Sequence, residues 1–302
     1  MTVLRLGAVE AGGTKIVCLV GVGPDRIEAQ TRIGTGEPAA TLAGVIAFFR
    51  EQVRAGGPLA ALGVASFGPV ELRRAHPRYG FITTTPKPGW AWVDVVGPIR
   101  AALGVPVGFD TDVNGAALGE GRWGAAQDVD TFVYLTVGTG VGGGVVSGGR
   151  VIPGLVHPEM GHLSVPRRPG DDFPGNCPFH GDCLEGMACG TAIAARWGRP
   201  AEQLDGADLR RAVELEAAYL AAGLRNIVYA IAPQRIVLGG SVSALPGLFP
   251  AIRARLAELL AGYPGLPEHD AEQFVVPAAL GALAGPAGAL VLAEQALTQA
   301  AA

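Results

Sequence analysis

The sequence predicts an α/β protein of two domains, and three observations carry that expectation. Strand-like and helix-like apolar patterns alternate along the chain, a glycine-tipped hairpin near its start recurs in its middle, and nearly half of its residues are apolar. With 302 residues, 49% of them hydrophobic, and a net charge of −4, the chain can bury a sizeable core in two domains. The acidic balance and the absence of long like-charge runs argue against a partner nucleic acid or other polyanion, which leaves small-molecule chemistry. Four cysteines fit a reducing cytoplasm better than secretion, and residues 1–6 lack the basic, apolar and small-residue regions of a signal peptide.

Residues 3–22 are two apolar runs joined at Gly12-Gly13, with Thr14 and Lys15 following. Glycines there let backbone N–H groups approach an anion, and the hydroxyl and ammonium add to that, although a Gly-Gly turn alone is usually only a turn. The spacing is not that of a Walker loop. Residues 39–55 place Leu42, Val45, Ile46, Phe49 and Val53 on one helical face, and a strand over 59–67 ends at Gly68-Pro69. The loop 76–92, with Tyr79, Phe81, Trp90 and Trp92, either lines a sugar pocket or is a surface loop with its aromatics tucked under. A helix is expected over 93–103.

A short strand, 105–109, delivers Asp110, Asp112 and Asn114 just before a helix through 116–123, at the carboxyl end of a strand where α/β proteins bind ligands. One of the carboxylates could be a general base; equally, both could only cap the helix, and Asn114 could cap it or bond a substrate hydroxyl. The opening pattern then returns as a strand over 131–137 and a glycine turn, Gly138-Thr139-Gly140-Val141-Gly142-Gly143-Gly144. Two such hairpins facing each other across a cleft could hold a polyphosphate.

Half of the cysteines and three of the five histidines fall between His157 and Glu185. His162, Cys177, His180 and Cys183 form a four-ligand nitrogen and sulfur set that suits tetrahedral zinc, with no position open for catalysis. By analogy with zinc-finger peptides such an ion would contribute ~10 kcal/mol or more to a loop rich in proline and glycine. The alternatives are a Cys177–Cys183 disulfide, or cysteines buried as small hydrophobes beside satisfied histidines. Glu159 and Glu185 flank the set, and two anchored carboxylates could grip a polyol. A helix is expected over 184–197, with Cys189 in the core, and a long one over 209–231 stopped by Pro233. The strand 235–238 leads into a third glycine turn, Gly239-Gly240-Ser241, on which an adenine or ribose could rest. Residues 274–293 carry no charge over twenty positions, the length of a membrane span, but Pro277, Gly281, Gly285, Pro286 and Gly288 interrupt them. They are expected to form a buried strand end, a turn and a core helix, with no membrane contact.

Six motifs in order resemble the ROK family of sugar kinases, and within it the bacterial fructokinases: Glu10-Ala11-Gly12-Gly13-Thr14-Lys15, Asp110–Asn114, Thr136–Gly144, His157–His162, Cys177–Gly186 and Val237–Ser241. Thr84–Trp90 and the Cys-x2-His-x2-Cys spacing point to the fructokinase branch. The resemblance implies the actin/hexokinase-like ATPase (ribonuclease H-like) fold with an active-site cleft and a structural zinc loop, usually as a homodimer. The expected domains are 1–111 with a C-terminal helix over about 288–302, and 112–287. By the same resemblance, Asp112 is the base for the sugar's 6-hydroxyl, and Glu159, His162 and Glu185 bind the sugar. Gly12, Gly13, Thr14, Lys15, Thr139 and Gly140 match the phosphate loops; Thr191, Gly239, Gly240 and Ser241 match the nucleoside side. Glu10 holds Mg2+ through water, and His162 serves both zinc and a sugar hydroxyl. Thr111 stands where many family glucokinases have a sugar-binding Asn. The expected activity is ATP-dependent phosphorylation of D-fructose, with mannose, glucose or an N-acetylhexosamine behind it, and a non-catalytic sugar sensor as the other class. A sugar-responsive repressor would need a DNA-binding helix-turn-helix, and the first phosphate motif already begins at Glu10.

Overall fold

A computed structural model describes residues 4–300. The first elements are β1 (Leu6–Ala11), β2 (Lys15–Gly23), β3 (Arg26–Gly34), α1 (Pro38–Gly56), β4 (Ala61–Ser66), α2 (Val96–Leu103), β5 (Val107–Thr111) and α3 (Asp112–Trp123). Their sheet has the order β3-β2-β1-β4-β5, with β1 antiparallel to β2 and parallel to β4, and β4 parallel to β5. The central strands β1 and β4 are apolar at almost every position because both faces are covered. The outer strand β3 alternates exposed and half-buried residues. Helix α1 starts where the Glu37 carboxylate accepts the Ala40 N–H at 2.9 Å and Pro38 presets the first turn, and it buries Leu42, Val45 and Phe49.

The second set is β6 (Thr131–Val137), β7 (Val141–Ser147), β8 (Arg150–Val151), α4 (Leu184–Met187), α5 (Gly190–Trp197), α6 (Gly206–Ile231), β9 (Arg235–Gly239), α7 (Leu248–Leu260) and β10 (Val275–Pro277), followed by α8 (Ala284–Ala300). Read from β8, its sheet runs β8-β7-β6-β9-β10, the same order of hairpin and crossover as the first. The duplication expected from the two glycine hairpins is therefore one of whole sheets. Helix α6 ends at Ala232 in a left-handed conformation, φ 51°, directly before Pro233.

The chain divides into two compact units, residues 1–127 with 149–157 and 282–302, and residues 128–148 with 158–281. Helix α3 lies in the first unit, where the expectation passed it to the second at Asp112. Glycines explain its place: a Cβ on Gly288 of α8 would fall 1.6 Å from the Gly115 carbonyl, and one on Gly119 2.4 Å from the Ala284 carbonyl. The two helices touch backbone to backbone. Helix α8 also rests on the first sheet, since Gly63 and Gly108 leave room for the carbonyls of Ala289 and Leu292. The uncharged stretch at 274–293 is thus spent on a strand end, a turn and this buried helix, and no helix among the described residues is long and apolar enough to cross a membrane.

Candidate active site

In the first unit the parallel strands β1, β4 and β5 end side by side, and the chemistry-bearing residues gather at those ends. Thr111, last in β5, caps α3 by accepting the Asn114 N–H at 3.1 Å, so Asp112 occupies the first helical turn, where the dipole favours negative charge. The capper is therefore the residue between the two aspartates. Asp110 is tied elsewhere: its Oδ1 accepts the Thr111 N–H at 2.7 Å and the Asn114 side-chain amide at 2.5 Å. Burial pushes the Asp110 carboxyl up, against those hydrogen bonds and the nearby His157. Of the two aspartates, Asp112 is the one standing at the helix start.

Glu10, near the end of β1, is the electrostatic partner of Asp112. Burial, then repulsion by the Asp112 carboxylate, push its carboxyl up to about 7, with Lys15 pulling the other way. Gly285 of α8 makes the space, since a Cβ there would meet Glu10 Cγ at 2.6 Å. Two carboxyls whose charges repel each other in this way suit a hydrated dication. At the hairpin tip the Gly12 N–H is spent on the Lys15 carbonyl, 2.9 Å, while Gly13, Thr14 and Lys15 are exposed. Backbone donors to an anion at this tip would come from Gly13 and Thr14.

In the second unit three glycine-bearing segments converge. The Gly138 carbonyl accepts the Gly190 N–H at 2.6 Å, and the Thr191 hydroxyl donates to the Thr139 carbonyl at 3.0 Å. This contact explains why the helix expected over 184–197 is broken: α4 stops at Met187, Cys189 caps the next segment by accepting the Ala192 N–H, and α5 restarts at Gly190 against the turn. Gly240 has φ 87°, and a Cβ on it would fall 2.3 Å from the Val137 carbonyl, so the β9 turn can lie against the β6 turn only as glycine. Gly239 is buried, and Gly240 and Ser241 are exposed beyond it. Glu185 joins this group, its Oε2 accepting the Val141 N–H at 2.9 Å and lying 2.5 Å from where a Gly140 Cβ would be.

The four soft ligands lie together. The ligand atoms of His162, Cys177, His180 and Cys183 all lie within 4.8 Å of one another. Cys177 Sγ is 3.7 Å from His162 Nδ1 and 3.8 Å from His180 Nδ1, and Cys183 Sγ is 3.6 Å from His162 Nδ1. Metal bonds of about 2.0–2.3 Å at tetrahedral angles separate ligands by about 3.3–3.8 Å, so these three pairs already stand at the spacing that zinc would set. Both cysteines are free thiols, which retires the disulfide alternative. Burial raises the Cys183 thiol to about 11, a cost that a bound cation reverses. The ring of His162 presents Nδ1 to the sulfurs, which leaves Nε2 as the nitrogen turned away from them. Glu159 immediately precedes the short helical turn, Met160–His162, that carries this ring. Upstream, the buried Asp171 takes the Tyr219 hydroxyl and the Arg196 guanidinium, which ties the loop to α5 and α6.

The 76–92 loop resolves its two readings by residue. Trp90 is fully buried, donates its Nε1–H to the Gly36 carbonyl at 2.9 Å and packs edge-on against Phe67, so it is a core residue. Trp92 is half exposed, with Arg78 stacked over its ring. Sequence reasoning passed over His157 except as part of a motif, because its partner is 87 residues away.

The model of the ROK family matches residues 6–296. The fructokinase of Zymomonas mobilis is 44% identical over 289 residues, spanning 95% of each chain. The fructokinase of Pediococcus pentosaceus is 41% identical over 297 residues, spanning 98% of this chain and 100% of its own. Among solved structures, the ROK hexokinase of Thermus thermophilus superposes with a TM-score of 0.79 at 31% identity, spanning 98% of this chain and 100% of the other. A family match over nearly the whole length, with full-length relatives above 40% identity, means that this chain belongs to the ROK family.

Proposed function

We propose that the protein transfers the γ-phosphoryl group of Mg-ATP to the 6-hydroxyl of a hexose, with D-fructose preferred. The observation that carries the chemistry is Asp112, a carboxylate held in the first turn of α3 at the carboxyl end of β5, within electrostatic reach of the half-buried Glu10. The preference for fructose rests on the full-length relatives named fructokinase.

In this reading Asp112 accepts the 6-hydroxyl proton as that oxygen bonds to the γ-phosphorus and the bond from phosphorus to the ADP oxygen breaks. Glu159, Glu185 and His162 Nε2 bind the sugar hydroxyls, and His162, Cys177, His180 and Cys183 would hold zinc, which would fix the orientation of the His162 ring. The amides of Gly13 and Thr14, with Lys15, meet the phosphates from the first hairpin, while Thr139 and Gly140 meet them from the second. Gly12 contributes the tightness of its turn. Thr191, Gly239, Gly240 and Ser241 carry the nucleoside. Mg2+ would be held through water by Glu10, and its chemistry is to neutralise the charge on the transferring phosphates. Apart from that, the protein's contribution is alignment and electrostatics. A homodimer is the expected assembly, to be read by light scattering.

The test is ADP release from Mg-ATP with fructose, mannose, glucose, N-acetylglucosamine and N-acetylmannosamine, against a control without sugar. Turnover strongest on fructose is the expected outcome. Strongest turnover on another hexose would keep the mechanism and move specificity to Thr111 and its surroundings. Silence on all five would overturn the kinase reading.

A further inference from the structure

His157 has no role in the assignments above, yet it is buried, at 8% exposure, and its Nε2 accepts the Val70 N–H at 3.3 Å. In a neutral imidazole that acceptance places the proton on Nδ1. The ring also lies against Gly68, where a Cβ would come within 3.4 Å of Nε2, and close enough to Asp110 to act on its charge.

Val70 belongs to the turn by which the chain leaves β4, and that turn sits among the strand ends of the candidate site. Ser66 pairs with Thr111, the residue before Asp112, and the Phe67 N–H bonds to the Ala11 carbonyl at 2.7 Å, one residue before Gly12. The Pro69 carbonyl accepts from both the Thr83 N–H, 2.7 Å, and its hydroxyl, 3.1 Å. One imidazole therefore closes a turn flanked by the ends of β1 and β5. It arrives from a segment 87 residues downstream, and two residues later that segment reaches Glu159.

We propose that His157 is a positioning residue for hexose binding: by accepting the Val70 N–H it holds the Gly68–Val70 turn in the shape that meets the sugar beside Asp112. The inference rests on the kinase reading above and goes beyond it, since it assigns sugar affinity to a turn and an imidazole outside the motif ligands. A hydrogen bond accepted from a backbone amide by a ring nitrogen has a specific substitute. Glutamine can bring its side-chain oxygen to about the reach of Nε2 and accept the same N–H, whereas alanine leaves the amide buried without an acceptor.

The experiment is steady-state kinetics of the wild type, His157→Ala and His157→Gln, with the Michaelis constants for fructose and for ATP measured separately. Alanine is expected to raise the fructose KM by about tenfold or more with the ATP KM within about twofold, and glutamine to stay within about threefold of the wild type. An unchanged fructose KM in His157→Ala would overturn the proposal, as would equal rises in both constants or a folded His157→Gln as impaired as alanine. Should His157→Ala fail to fold, His157→Gln decides: a fructose KM within about threefold supports the proposal, and a rise of about tenfold overturns it. A wild-type protein silent on every hexose, seen before any variant is made, would sink the kinase reading and this inference with it.

Discussion

Replacing Glu10 by Gln tests the acidic pair directly, because the native structure holds a carboxyl where its charge is costly. Its carboxyl titrates near 7 in the folded protein against 4.5 for an ordinary glutamate, first because of burial and then because of Asp112. Between those values the folded state binds more protons than the unfolded state, so metal-free stability falls as pH rises from 4.5 to 7. Below that window the Glu10 contribution vanishes, and above it the full penalty applies. A shift from 4.5 to about 7 corresponds to an upper bound of about 3 kcal/mol, since each unit is about 1.4 kcal/mol. Glu10→Gln keeps the side-chain shape that the Gly285 gap accommodates and removes the charge. Urea denaturation without added Mg2+ should find the variant more stable than the wild type at pH 8 by up to about 3 kcal/mol, with little difference at pH 4.5. Turnover should fall, and Mg2+ should stabilise the wild type without stabilising the variant. A variant equally destabilised at both pH values would refute the reasoning, because it would make Glu10 a structural hydrogen-bonding group rather than a strained acid.

Asp112→Asn should lower turnover about 10² to 10⁴-fold with the circular dichroism spectrum retained; unchanged turnover would remove its role as base. Gly140→Ala would place a methyl 2.5 Å from Glu185 Oε2, the mobile end of a side chain, so the cost should appear in the sugar KM and not in the melting temperature. A normal KM for the sugar in that variant would separate Glu185 from sugar binding. Chelation of the His162, Cys177, His180 and Cys183 site should release about one zinc per chain and lower activity by releasing Glu159, His162 and Glu185. Full activity in zinc-free protein would count against that coupling.

Much of the site was legible because its signals are local. A helix start beside Asp112 is short-range turn chemistry, although Thr111 and not an aspartate or Asn114 supplies the cap, and ligands with two residues between them, Cys177, His180 and Cys183, can converge by loop geometry alone. Strand β3 and helix α7 went unread: β3 is polar on its exposed positions, and α7 buries only Leu248, Ile252, Leu256 and Leu260 along one stripe. Nor did periodicity foresee the break between α4 and α5, which comes from the Gly138 carbonyl across the fold.

The sequence by itself determined the elements whose causes lie within a few residues: the two glycine hairpins, the capped start of α3 and the four-ligand metal set. The tertiary structure decided what depends on distant partners. Glu185 meets Val141 over a separation of 44 residues, and His157 meets Val70 over 87. Glu10 feels the charge of Asp112, about a hundred residues away, and its side chain fits only because Gly285 of α8, farther still along the chain, leaves the room. Such pairings arise from long-range packing, and no local window of residues contains both partners.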